Sequence, residues 1–177
     1  MVRVQAVEDK LESAAEIRGA LAELYVRHTP AARRLAYFLT GDRDLAEDLV
    51  QDAFVRLAGR FRHRRQPDAF EAYLRRTIVN LFTSHLRRLR LERREMARRR
   101  AEPEPVHRED DKAERDVLWA ALQTLPARQR AAIVLRYYED LSERQTADVL
   151  RCSVGAAKQL ISRGLSALRD RIEDEEA

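Results

Sequence analysis

The chain has 177 residues, 45% hydrophobic and 36% charged, which is enough for one ordinary domain or two small ones. No run approaches the ~18 uninterrupted apolar residues of a membrane span, and the N-terminus lacks the apolar core of a secretory signal, so we expect a cytoplasmic protein without membrane insertion. A lone Cys152 and four scattered His match no metal motif, which argues against a disulfide, a structural metal or another cofactor.

The basic residues are almost all Arg, since only Lys10, Lys112 and Lys158 are Lys. The planar guanidinium of Arg suits phosphates and guanine edges, which favours a polyanionic partner. A GC-rich genome would produce the same bias without any function, so composition alone leaves both interpretations open.

Helix is predicted throughout, because Gly and Pro are scarce and no long stretch alternates apolar and polar residues. In the first half, apolar residues between positions 21 and 39 predict one or two helices that stop near Gly41, and Asp42 or Asp44 can cap the next helix. That helix has one apolar stripe between positions 45 and 57. Its opposite face is polar and mostly acidic, and consists of Asp44, Glu47, Asp48, Gln51 and Asp52.

A basic loop at residues 61–67 precedes a helix with apolar residues at helical spacing between positions 70 and 82. Asn80 interrupts this apolar pattern, and a buried Asn is costly unless its amide finds hydrogen-bond partners. Asn80 is therefore either a satisfied structural residue or a functional one. The helix then enters residues 75–100, where ten Arg against two Glu give a net charge of +8.

The charge reverses in residues 102–116, where seven acidic residues face three basic ones and Pro103 and Pro105 break the chain. Such a segment cannot bury enough surface to offset its ordering entropy. The sequence therefore predicts an all-α fold of two small helical domains joined by a flexible charged linker. The expected boundaries are an N-terminal extension at 1–18 that could form a helix, a first domain at 19–98, the linker at 99–112, a second domain at 113–172 and an acidic tail at 173–177.

The second half contains the pattern of a helix-turn-helix. A short helix near residues 117–122 is followed by Leu125 and Pro126, with Pro126 expected in the first turn of a new helix. Ser142 and Gln145 fit a capping box, and Ser153 can cap a long final helix. Two helices joined by a few residues are typical of a helix-turn-helix, although many antiparallel helix pairs have the same spacing.

Two blocks of residues resemble the extracytoplasmic-function group of bacterial sigma factors. The run GDRDLAEDLVQDAFVRL at 41–57 resembles a helix of their conserved region two. The run LPARQRAAIVLRYYEDLS at 125–142, with ADVL at 147–150 and CSVGAAK at 152–158, resembles their region four. Together the resemblance covers about residues 20–95 and 113–172.

The resemblance implies a specificity subunit that binds core RNA polymerase and promoter DNA, with an anti-sigma protein as a further candidate partner and no small-molecule substrate. The acidic face would dock on basic clamp helices of the largest polymerase subunit, whereas without the resemblance an ordinary solvated face is the simpler interpretation. Residues that would bind the opened minus-ten element are Arg64, Arg65, Arg75, Arg76, Asn80, Arg87 and Arg88. Residues that would bind the minus-thirty-five element are Ser153, Lys158, Gln159, Ser162 and Arg163.

Several positions depart from the family pattern. Tyr73 stands where many relatives have Trp, so a difference in aromatic stacking during melting is expected. Three departures in region four mean that the promoter sequence cannot be copied from relatives. Arg151 occupies a turn position where Gly is common. Ala156 and Ala157 replace the usual Thr-Val, and Leu160 replaces a polar residue.

Three other classes compete with this interpretation. A conventional helix-turn-helix regulator would bind duplex DNA as a dimer without polymerase, and its acidic helix would need a separate function. A helical adaptor or anti-sigma-type protein would leave the arginine-rich stretch without purpose. An enzyme is favoured least, because the sequence shows no catalytic pair, phosphate-binding Gly loop or metal set.

Overall fold

The computed structural model describes residues 2–61, 70–99 and 116–176, which are helical apart from short turns and contain no strand. The all-α fold class is thus confirmed. The expected linker at 99–112 lies outside the described residues except for Arg99, and so do Arg64 and Arg65. The helices in chain order are α1 (Val2–Thr40), α2 (Arg43–Phe61), α3 (Phe70–Arg99), α4 (Asp116–Thr124), α5 (Ala127–Ile133), α6 (Glu143–Leu150) and α7 (Val154–Glu176), and a π-helical segment (Val134–Tyr138) directly continues α5.

The junction between α1 and α2 follows from two residues. Gly41 has a φ of +78°, a conformation that glycine adopts without a side-chain penalty, and this ends α1. Asp42 then caps α2, because its Oδ1 accepts hydrogen bonds from the backbone N–H groups of Asp44 and Leu45 at 3.0 Å each. Of the two predicted caps, Asp42 is the one that the structure uses.

Helices α1, α2 and α3 pack together around the apolar stripe of α2, where Val50 and Ala53 are fully buried. Ile78 and Phe82 of α3 lie in the same core and are also inaccessible to solvent. Because the buried residues of α2 occupy one side of the helix, the packing leaves its acidic side exposed.

Helices α4 to α7 form the second half of the described chain. The capping box at the start of α6 is confirmed: Ser142 Oγ accepts from the Gln145 backbone N–H, and Gln145 Oε1 accepts from the Ser142 backbone N–H. Ser153 Oγ accepts from the Ala156 backbone N–H at 3.1 Å and thus caps α7, as expected. Pro126 differs by one position from its prediction, since it is the N-cap of α5 and not a residue of its first turn.

The two halves pack directly against each other and share one hydrophobic core. Trp119 of α4 stacks on Tyr37 of α1 with ring centroids 4.6 Å apart and an interplanar angle of 10°. The ring centroids of Phe38 and Tyr138 are 4.1 Å apart, and Arg34 Nε donates a hydrogen bond to the Tyr138 hydroxyl at 2.9 Å. The sequence pattern predicted two helical domains joined by a flexible linker but not this direct contact between them.

A buried guanidinium, that of Arg130, links the ends of two helices across this contact. Its Nη1 donates to the backbone O of Leu39 at 2.6 Å and to Gln123 Oε1, and its Nη2 donates to the backbone O of Gln123 at 2.7 Å and of Leu125 at 3.3 Å. Leu39 lies in the last turn of α1 and Gln123 in that of α4, where carbonyls lack intrahelical partners and attract cations. Burial lowers the pKa of Arg130 to about 10, so the side chain stays charged at neutral pH.

Replacing this guanidinium with a side chain that cannot donate should weaken the whole fold. Arg130→Met keeps much of the apolar volume but leaves the buried carbonyls without a donor, so we expect the free energy of unfolding to fall by about 2–3 kcal/mol. Urea unfolding followed by far-UV circular dichroism measures this change. Arg128→Met is the matched control, because Arg128 is exposed and donates only to the Leu150 carbonyl. An equal effect of the two substitutions would contradict the role assigned to Arg130.

Candidate polymerase and nucleic-acid interfaces

The acidic face of α2 is accessible along its length. Asp44, Asp48, Gln51 and Asp52 are exposed, while Glu47 is partly covered by an ion pair with Arg33 of α1, with 2.5 Å between Glu47 Oε2 and Arg33 Nε. The hydrogen bond from Arg33 holds the pKa of Glu47 below its ordinary value, so Glu47 is ionised near neutral pH. The structure therefore brings the five predicted docking residues together on one exposed face.

The basic residues of α3 fall into two groups with different surroundings. Arg75 Nη2 lies 2.8 Å from Glu71 Oε1, and Arg75 Nε lies 2.6 Å from Glu139 Oε2 in the second half of the chain. Arg76 Nη2 donates to the Asp148 carbonyl at 2.9 Å. These two predicted DNA-binding residues thus contact α6 and the segment before it.

Arg87 and Arg88 form the second group and are exposed beyond this contact. Within the described part of the chain, Arg88 forms a single long ion pair, with 3.6 Å between its Nε and the Oε1 of Glu92 one turn further along α3. Asn80 is half-buried on the same side of α3 as Arg76 and Arg87, and its side-chain amide has no hydrogen-bond partner within the described chain. An amide placed in this way is available to an external ligand.

The helix-turn-helix consists of α6, a turn at residues 151–153, and α7. On α7, Ala157, Ile161 and Leu168 are buried against the domain core. The predicted contact residues Lys158, Gln159, Ser162 and Arg163 lie on the opposite, exposed side. Lys158 Nζ is 3.2 Å from Glu143 Oε2, and this half-exposed pair contributes little stability, so Lys158 can exchange it for another anion.

The sequence analysis missed Arg130 and Glu139 as structural partners of the first half. Arg130 had a detectable signal, because Ala127, Arg130, Ala131 and Val134 recur at i, i+3, i+4 and i+7 along one buried stripe. A charged residue at such a position must find acceptors. Glu139 had no comparable signal, since its partner Arg75 lies 64 positions earlier.

No helix in the described ranges is long and apolar enough to cross a membrane. Among the described residues, no group of three or more His, Cys, Asp or Glu is placed to hold a metal ion.

Comparisons with known proteins assign both halves of the chain. A family model of sigma-70 region 2 matches residues 24–92, and a model of sigma-70 region 4 matches residues 115–168. The chain is 38% identical over 159 residues to the ECF RNA polymerase sigma factor SigE of Mycolicibacterium smegmatis, covering 84% of this chain and 60% of that protein. It is 34% identical to the RNA polymerase sigma-E factor of Streptomyces coelicolor, with 85% of each chain covered.

Solved structures agree with this assignment. The sigma factor RpoE of Bartonella quintana, in complex with the anti-sigma factor NepR, superposes with a TM-score of 0.68 at 25% identity, covering 86% of this chain and 96% of that one. CnrH, in complex with the cytosolic domain of CnrY, gives a TM-score of 0.64 at 25% identity, with 93% and 94% covered.

The chain belongs to the extracytoplasmic-function sigma factors of bacterial RNA polymerase, as the sequence resemblance indicated. It directs promoter-specific transcription initiation with core RNA polymerase and promoter DNA as its partners. The conventional helix-turn-helix regulator is not favoured, because the first half of the chain matches sigma-70 region 2.

The position of α7 depends on a close approach at Gly164. A Cβ at this residue would lie 2.9 Å from Ile133 Cγ1, whereas a Cβ at Gly155 of the same helix would meet no atom within 4 Å. Gly164→Ala should therefore lower the free energy of unfolding by about 1–2 kcal/mol, since crowding exceeds the gain in helix propensity. Gly155→Ala should leave the free energy of unfolding unchanged or raise it. Thermal unfolding of the two variants checks this, and equal melting temperatures would contradict the packing described.

Proposed function

We propose that the exposed polar faces of α2, α3 and α7 each carry out one function of a sigma factor. The acidic face of α2 docks on core polymerase, the polar side of α3 holds the opened minus-ten strand, and the exposed side of α7 reads the minus-thirty-five element. The observation that carries this proposal is that opposite charges lie on separate helices, with the acids on α2 and the arginines on α3.

The acidic face of α2 is unsuited to DNA. Asp44, Asp48 and Asp52 are exposed on one side of the helix, and they would repel a phosphate backbone. A partner with a basic surface is complementary to them, because electrostatic complementarity speeds association and fixes orientation. Basic helices of the polymerase clamp are such a partner.

The polar side of α3 has the groups that a single DNA strand requires. Arg76 and Arg87 supply positive charge for phosphates on the side of the helix where Asn80 offers an unpaired amide. An unstacked base can donate to and accept from such an amide at once. Tyr73 is 42% exposed, lies two helical turns before Asn80 on the same side of α3, and offers an aromatic ring in place of the more frequent Trp.

The exposed side of α7 fits a major groove. Lys158, Gln159 and Arg163 can each donate to base edges or phosphates, and they lie in the N-terminal half of a capped helix. The hydroxyl of Ser153 already accepts a hydrogen bond from the backbone N–H of Ala156, and its own hydrogen and second lone pair are left for the DNA.

Residues 19–98 act as the region-two domain and residues 113–172 as the region-four domain, each binding weakly and gaining strength from being linked. Polymerase supplies the chemistry in the cytoplasm, and this chain carries no catalytic step. An anti-sigma protein is a further partner, since one solved neighbour, the sigma factor RpoE of Bartonella quintana, is in complex with an anti-sigma factor.

Two substitutions should separate docking from promoter reading in run-off transcription with purified core polymerase. Asp48→Arg reverses a charge on the acidic face, so we expect core affinity and transcript yield to fall about tenfold or more. Lys158→Ala should leave core affinity unchanged but reduce transcript yield by several-fold, through the loss of one groove contact. Asp170→Arg, a reversal at an exposed acid of α7, is the control for charge alone.

Core affinity is measured by fluorescence anisotropy of the labelled chain. Wild-type core affinity in Asp48→Arg would rule out the docking face. Failure of the wild type to direct any promoter-specific transcript from DNA of its own genome would rule out the proposed function as a whole.

A further inference from the structure

An acidic side chain lies beside the proposed DNA-reading side of α7. Glu143 is the first residue of α6, and its Oε2 lies 3.2 Å from the Nζ of Lys158. The side chains of Glu143 and Lys158 are 44% and 58% exposed, so both are accessible to a partner. A carboxylate this close to an ammonium lies on the same surface. Any DNA that Lys158 contacts must therefore also meet the charge of Glu143.

Helix packing fixes the backbone on both sides of this pair. The capping box of Ser142 and Gln145 encloses the first turn of α6, in which Glu143 stands. Ser153 caps the start of α7, and Lys158 follows in the second turn of that helix. The two helices pack against each other. The approach of the two side chains is thus set by the helix-turn-helix itself, since a half-exposed ion pair contributes little stability of its own.

The charge of Glu143 makes the start of α6 unfavourable for phosphates. In a helix-turn-helix the second helix enters the major groove, while the first helix crosses the DNA backbone. A helix N-terminus attracts phosphates when its N–H groups are free. Here Ser142 Oγ already accepts from the Gln145 N–H, and Glu143 adds a negative charge to the first turn. A phosphate within the Debye length of about 8 Å is repelled by that carboxylate.

The same charge restricts what Lys158 can bind. An ammonium on a flexible stem can bind either a phosphate or the acceptors of a base edge. Lys158 can exchange Glu143 for a phosphate, but that phosphate would lie beside the Glu143 carboxylate and be repelled. The O6 and N7 atoms of guanine are neutral acceptors, and an ammonium that keeps one hydrogen on a carboxylate has two left for them. The free carboxylate oxygen can accept from the N4 amine of the paired cytosine.

We propose that Glu143 is a specificity-determining residue of the helix-turn-helix, which directs Lys158 away from phosphates and toward the major-groove edge of a G·C base pair. Specificity is a difference between two affinities, and a group that repels the wrong partner increases it. Glu143 therefore weakens binding to DNA of unrelated sequence more than binding to the minus-thirty-five element. This inference rests on the proposed role of α7.

The first test compares two labelled duplexes of equal length, with the full chain as the binding protein. One duplex carries the minus-thirty-five segment of a promoter that the wild type uses in run-off transcription, and the other has this segment in shuffled order. Glu143→Gln should bind the shuffled duplex about three- to tenfold more tightly, with a slope of log affinity against log salt steeper by about 1. Its preference for the promoter duplex should fall about fivefold. Fluorescence anisotropy measures both affinities.

The second test locates the base pair that the Glu143–Lys158 pair reads. In a series of promoter duplexes, one base pair of the minus-thirty-five segment is changed at a time. The wild type should lose about tenfold in affinity when one particular G·C pair is replaced, and this loss should shrink to about twofold in Glu143→Gln and in Lys158→Ala. A merely structural role of Glu143 would weaken binding to every duplex alike.

Asp148→Asn is the matched control, because it removes an equal charge from an exposed residue on another side of α6. It should leave both affinities and the salt slope at wild-type values. Glu143→Asp keeps the charge and should keep the wild-type slope. Thermal unfolding checks the fold of each variant, and Glu143→Gln should melt within about 2 °C of the wild type.

Unchanged or weaker binding of folded Glu143→Gln to the shuffled duplex would overturn the inference, and so would an equal effect of Asp148→Asn. Loss of preference at different base pairs in Glu143→Gln and Lys158→Ala, or at an A·T pair, would also overturn it. A wild-type chain with equal affinity for the two duplexes would overturn the role of α7 and this inference with it. A wild type that prefers the promoter duplex supports the role of α7 whatever Glu143→Gln does, so the two failures are distinguishable.

Discussion

The buried guanidinium of Arg130 is the interaction on which the arrangement of the two domains depends. It supplies donors to carbonyls at the ends of α1 and α4, two helices that belong to different sigma regions. Those carbonyls would otherwise be buried without partners, and a cation at helix C-termini is favourable electrostatically. The centre of the guanidinium also lies 5.7 Å from the ring centroid of Phe82 in α3, so Arg130 contacts α1, α3 and α4.

Burial of Arg130 also carries a desolvation penalty, which limits the stability of the interface between the domains. Desolvation lowers the pKa of Arg130, and its Nε has no acceptor within the described chain. Gly41 and Gln123 add a steric constraint, because a Cβ at Gly41 would lie 2.9 Å from the amide carbon of Gln123. The interface therefore combines a specific fit with incomplete polar pairing.

The packing of the two halves treats the proposed binding faces differently. Helix α2 packs on α1 and α3, and its acidic face is exposed. Arg75 and Arg76 of α3, by contrast, contact Glu139 and the Asp148 carbonyl of the second half. The proposed docking face is therefore accessible in this arrangement, whereas part of the proposed minus-ten face is engaged in contacts within the chain.

Local patterns predicted the helices, the cap at Asp42, the capping box at Ser142 and the opposite faces of α2 and α7, because each depends on residues within one or two turns. The partners of Arg75 and Arg130 were not predictable in the same way, since they lie 64 and 91 positions away. An arginine that binds Glu139 and one that binds a phosphate have the same local sequence signature. Only the packing of α6 against α3 distinguishes them.

The central claim, that the two halves of the free chain pack directly against each other around Arg130, can be tested with a single distance. Spin labels at Arg56→Cys of α2 and Asp170→Cys of α7, in a Cys152→Ala background, report the separation of the domains by pulsed electron paramagnetic resonance. We predict one short, narrow distance distribution for the free chain and a broader distribution at longer distances in Arg130→Met. Long distances in the otherwise unchanged free chain, or an identical distribution in Arg130→Met, would contradict the claim.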